Sequence, residues 1–139
     1  MGRVTLVLAL LALPAARRDA DDDAKFNAKA ALVTARVIYL TTQSYAGVTA
    51  KLLTQKNPEL RVLEDAPSTG PAVLSLKVLG PRELRIAVYG GKTCWGIREA
   101  GRGTGVATLY ARRSGPASDC RASSFRDTDF VEHERVWKD

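Results

Sequence analysis

The sequence predicts an α+β fold, an N-terminal helix packed on a roughly four-stranded antiparallel sheet with one disulfide in the C-terminal half. Three features predict it: a helical apolar period early in the chain, an alternating period later, and two cysteines that both fall late. Ala24, Ala28, Ala31, Leu32, Ala35, Ile38 and Tyr39 recur at three- and four-residue steps and form one apolar stripe, with Lys25, Lys29 and Arg36 toward the other side. Asp19, Asp21, Asp22 and Asp23 precede the stripe. Carboxylates there cap free amides and complement the positive end of the helix dipole, so the helix should start near Asp22. Its alanines permit close approach to a sheet or to a neighbouring helix.

Past Tyr39 a polar run, Thr41-Thr42-Gln43-Ser44, leads to Gly47, which can supply a left-handed stop. Residues 48–55 read as a short helix that Asn57-Pro58 ends. Residues 60–63 read as a brief extended segment before the loop 65–71. The period then changes. Leu74, Leu76 and Val78 alternate with Ser75 and Lys77, the pattern of a half-buried strand. Gly80-Pro81 turns the chain into 83–90, where Leu84, Ile86 and Val88 alternate with Glu83, Arg85 and Tyr89, so the two runs pair as a hairpin. Gly90-Gly91-Lys92 turns again into 93–99, with Trp95 and Ile97 on one face and Cys94 on the other. Residues 100–105, rich in glycine, read as a mobile hairpin tip before a fourth strand at 107–112. The tail from Ser123 is charged, with Phe125, Phe130, Val131 and Trp137 interspersed. Its pattern leaves open whether it docks or frays.

The 139 residues, 45% hydrophobic and 26% charged, suit one globular domain at 19–139 behind an apolar segment at 1–18. The net charge of +6 favours acidic partners such as nucleic acid or an anionic surface, but the basic residues are scattered, as on a solvated basic face. Cys94 and Cys120, an even count behind an apolar N-terminus, suggest an oxidising compartment and one disulfide; two separate buried thiols are the alternative. Such a bridge would close a loop of roughly 27 residues and contribute about 3 kcal/mol through loop-closure entropy. Residues 4–16 are apolar, behind Arg3 and ahead of Arg17 and Arg18. At about 13 residues the run is short against the roughly 20 of a spanning helix. It reads as a signal peptide with small Ala15 and Ala16 near a cut, as a shortened membrane anchor, or, least well, as a buried helix.

Catalytic chemistry is sparse. His133 is the only histidine and sits between Glu132 and Glu134, with Ser124 and Cys120 the nearest nucleophiles in sequence. Asp127 and Asp129 lack the glycine and terminal glutamate of a calcium loop. Gly101, Gly103 and Gly105 lack the lysine and hydroxyl ending of a phosphate loop. No Cys-x-x-Cys occurs. No catalytic, cofactor or metal residue is therefore assigned, and the chain is not expected to be an enzyme.

Several stretches together resemble a family: LPAARRDADDDAKFNAKAALVTARVIYLTTQSYAG, then STGPAVLSLKV, then TCWGIREA, then the Asp-Cys pair ending at Cys120, then Trp137. From residue 13 to residue 137 the chain resembles type IV pilins and pilin-like proteins (pseudopilins), particularly small alanine-rich ones of high-GC bacteria. The resemblance implies a helix over 22–43, a turn at Ser44-Tyr45, an antiparallel sheet beneath, and a Cys94–Cys120 bridge. It also implies an extracytoplasmic filament subunit, at the cell surface, membrane-associated or secreted, that works by assembly with other pilin subunits and the pilus machinery, for adhesion, DNA uptake or secretion. Gly2 and Arg3 mark the possible processing site, with Thr5-Leu6 echoing the family. Arg3 and Val4 stand where the family has phenylalanine, and no glutamate precedes Glu59. The competing expectations are a secreted binding module with a mature N-terminus near Arg17, and a basic nucleic-acid binder.

Overall fold

The computed structural model describes residues 19–138, so the expectations for Gly2, Arg3 and the apolar segment at 1–18 lie outside the described residues. The first helix, α1, runs Ala20–Thr42. Its start lies ahead of Asp22 because Asp19 is the N-cap, its carboxylate accepting from the Asp22 amide at 2.8 Å. Asp21, Asp22 and Asp23 then fill the first turn, where the dipole favours anions. Gln43, at φ 58°, makes the left-handed stop expected of Gly47, and its amide donates to Tyr39 O at 2.6 Å. A second helix, α2 (Ala50–Lys56), is capped by Thr49, whose hydroxyl accepts from Leu52 N at 3.1 Å, and it closes at Asn57 ahead of Pro58.

The sheet has five strands, not four, in the order β1-β2-β3-β4-β5. They are β1 (Arg61–Glu64), β2 (Val73–Gly80), β3 (Glu83–Tyr89), β4 (Thr93–Arg102) and β5 (Gly105–Ser114). The additional strand is the brief extended segment, and it pairs parallel to β2, while the other pairings are antiparallel. The crossover at 65–72 is shorter than the dozen or so residues usual between parallel strands. Ser68 organises it. Fully buried, it donates to Gly70 O at 3.1 Å and to Val73 O, and accepts from Tyr89 N at 2.8 Å.

The glycine-rich stretch is not a loose tip. β4 and β5 stay paired out to Arg102 and Gly105, leaving Gly103 and Thr104 as the turn. Arg82 fastens it, Nη2 donating to Gly103 O at 2.6 Å and to Gly105 O.

Both faces of the sheet are covered, which corrects the half-buried reading of β2 and β3. On one face α1 lays Ala24, Ala28, Ala31 and Ala35 against Leu74, Leu76, Leu84, Ile86, Val88, Trp95 and Ile97. On the other the segment after β5 runs back in short 3-10 turns and buries Phe125 and Phe130 with Ala87, Cys94, Ala111 and Cys120. The Cys94–Cys120 disulfide, with Cα atoms 5.4 Å apart, staples that segment to β4. Ser75 is consequently buried and accepts from Ala122 N at 2.9 Å. Arg85, 7% exposed, donates to Phe125 O at 2.9 Å and pairs with Asp127.

The charged tail docks. Val131 and Tyr110 exchange amide bonds of 2.8 and 2.9 Å, an isolated bridge that covers the outer edge of β5 at that one position. Trp137 then turns in to the α1 side. It is 2% exposed, stands edge-on to Trp95 and Tyr110, and donates to Ala111 O at 2.8 Å. Lys25 on α1 donates to Trp137 O at 2.7 Å, and Lys29 pairs with Glu134.

Candidate interaction surface

The residues with potential chemistry do not assemble into a catalytic group. His133 is exposed at the start of the last 3-10 turn. Cys120 is in the disulfide, and the Ser124 hydroxyl donates to Asp119 O while accepting from Arg121 N at 3.1 Å. Asp127 pairs with Arg85 on β3, and Asp129 accepts from Arg126 N at 2.7 Å, so one carboxylate ties the tail to the sheet and the other serves a turn of the tail itself. Among the described residues no group of three or more His, Cys, Asp or Glu could hold a metal ion, and no helix is long and apolar enough to cross a membrane.

One buried charge does stand out, and sequence reasoning missed it. Glu99, on β4, is fully buried on the α1 side of the sheet. Its Oε1 accepts from Arg36 Nε at 3.2 Å, Arg36 Nη2 at 2.8 Å and Thr108 Oγ1 at 2.6 Å, and its Oε2 accepts from Tyr45 OH at 3.2 Å. Burial, then the Glu99 charge and hydrogen bond, hold the Tyr45 hydroxyl well above the ordinary tyrosine value of 10.0. A buried carboxylate with donors from α1, the Ser44-Tyr45 turn and β5 is satisfied, and it locks the C-terminal half of α1 onto the sheet.

That lock gives the outward side of α1 a fixed presentation. Val33, Val37 and Leu40 are 58%, 59% and 72% exposed, and their four- and three-residue steps set them on one face, away from the sheet. Of the six exposed large hydrophobic residues described, α1 carries four, the fourth being Phe26. Beside Leu40 a cleft of about 260 Å³ opens between α1 and the β4–β5 tip, lined by Arg36, Tyr39, Leu40, Tyr45, Gly105 and Val106. The Tyr39 and Tyr45 rings stack in it, with centroids 4.6 Å apart. α1 is therefore apolar on two sides. The inner stripe was legible in sequence. The outer row has the same three- and four-residue step, rotated about the axis, and that step was the signal that could have found it.

Cys94 and Cys120 are brought together as expected, while Gly2 and Arg3 lie outside the described residues. No family model matches the chain, and neither a curated protein nor a solved structure does.

Proposed function

We propose that the chain is a structural subunit of the type IV pilus or pseudopilus kind, acting by assembly and surface contact and not by catalysis. The observation that carries the reading is the second apolar face of α1, the row Val33, Val37 and Leu40 held outward by the Glu99 lock. A helix apolar on two sides is one that is buried on two sides. The sheet covers the first. The occupant of the second is a neighbouring copy of this chain, through its own α1 and the apolar residues 4–16 that precede Asp19 in sequence. Full burial of a Val or Leu contributes roughly 1.5–3 kcal/mol. Covering these three from their present exposure therefore contributes about 3–6 kcal/mol per contact, useful when repeated along a filament. The disulfide and the docked tail leave the opposite face rigid for contact with a surface.

The test is to shear cells producing the full chain and sediment the released filaments. The chain should pellet, and Val37→Asp with Leu40→Asp should remove it from the pellet while its circular dichroism melt stays unchanged. Recovery only as a soluble monomer in the medium, with a mature N-terminus near Arg17, would overturn the proposal in favour of a secreted binding module.

A further inference from the structure

We infer that the cleft between β5 and the segment that follows the disulfide binds a phosphate-class oxyanion. The cleft measures about 320 Å³ and is lined by Arg112, Arg113, Ser124, Arg126 and Asp129. Three arginine residues thus line one space with a single acidic residue among them. That carboxylate is engaged with backbone, Asp129 Oδ2 accepting from Arg126 N at 2.7 Å. Arg113 donates through Nη1 to Ser124 O at 2.8 Å, which joins the two walls and leaves its other N–H groups available. The side chains of Arg112 and Arg126 make no hydrogen bond or ion pair among the described residues. By contrast, Arg85, Arg98 and Arg102 each have a carboxylate partner.

Like charges gathered at one cleft repel until an anion joins them, and the planar fork of arginine matches the oxygens of a phosphate group. The walls are also pre-set. Arg113 pairs across the ladder with Cys94, and Cys120 heads the segment that carries Ser124 and Arg126, so the disulfide holds both sides of the cleft in place before any ligand arrives. The site lies at the end of β5 remote from Gly105 and Val106, which border the α1 cleft, and it stands independently of the assembly reading. The bound group is a tetrahedral phosphate oxyanion, either as the free ion or as a phosphodiester in a polymer.

Isothermal titration of the full chain with inorganic phosphate, and separately with a short oligonucleotide, reads binding and source together. Saturable binding of phosphate that the oligonucleotide does not better assigns the free ion; tighter, salt-sensitive binding of the oligonucleotide assigns the polymer. Arg112→Gln and Arg126→Gln, both at exposed side chains, should each weaken binding about tenfold or more, since a hydrogen bond to a charged group is lost. Lys51→Gln with Lys56→Gln, exposed on α2, removes twice the charge of either arginine change, elsewhere, and should leave affinity unchanged. No saturable binding beyond that of chloride, or an equal loss from the α2 changes and the arginine changes, would overturn the inference.

Discussion

Arg36→Ala withdraws the guanidinium whose Nε and Nη2 meet Glu99 Oε1 at 3.2 and 2.8 Å, and leaves a fully buried carboxylate behind. Removing one partner of a buried ion pair costs about 3–5 kcal/mol. Two features of the structure reduce that figure. Tyr45 OH and Thr108 Oγ1 go on donating to Glu99, and the Arg36 side chain is 44% exposed, so water can enter the space it leaves. The expected loss is therefore about 2–3 kcal/mol. Glu99→Gln keeps the shape and removes the charge, and should cost less, about 1–2 kcal/mol, because the donors retain one carbonyl oxygen. Urea unfolding with the disulfide intact measures both. At a slope of about 1.5 kcal/mol/M, the midpoint for Arg36→Ala should fall by about 1.3–2 M. The double variant should be less destabilised than the two singles combined, since the second change removes what the first orphaned. An Arg36→Ala midpoint within about 0.3 M of wild type, the range of an ordinary surface substitution, would refute the claim that this pair fixes α1 to the sheet.

Two further outcomes follow from the same packing. Because the Tyr45 hydroxyl is raised above 10.0, the folded chain keeps a proton that the unfolded chain gives up, so stability is full below pH 10.0 and declines as pH rises above it. Alkaline unfolding followed by tryptophan fluorescence should show a weaker pH slope in Tyr45→Phe, the remainder coming from Tyr110, which burial also raises; equal slopes would contradict the account. Gly90→Ala would set a Cβ 2.8 Å from Asp21 Cα and 2.9 Å from Trp95 Nε1, where Trp95 now donates to Asp21 Oδ1. Overpacking there should cost about 1–3 kcal/mol in a thermal melt, and an unchanged melt would mean that α1 does not begin against that turn.

The parts of the fold legible in sequence are those with a period. The alanine stripe follows from a helical period, the hairpin of β2 and β3 and the division of Trp95 and Ile97 from Cys94 from side-chain alternation, and each lies where its period places it. What was hidden depends on partners distant in the chain. β1 is only Arg61–Glu64, too short to show a pattern, and it pairs parallel to β2 across a crossover that holds the buried Ser68. Gly101 and Gly105 extend the β4–β5 ladder through backbone alone, so no side chain announces it. Arg85 and Ser75 sit at positions that alternation assigns to solvent, and only the returning tail buries them. Phe125, Phe130 and Trp137 follow no regular spacing, because 3-10 turns separated by extended residues carry them to different faces of the sheet.

The bond from Lys25 to Trp137 spans 112 residues of chain. At a ribosomal pace of about 5–20 residues/s, α1 is complete for about 5–19 s before the tryptophan that completes its cover has been made. Alanine presents little greasy area to a wrong partner during that wait. The interior around α1 therefore closes only once residue 137 has emerged.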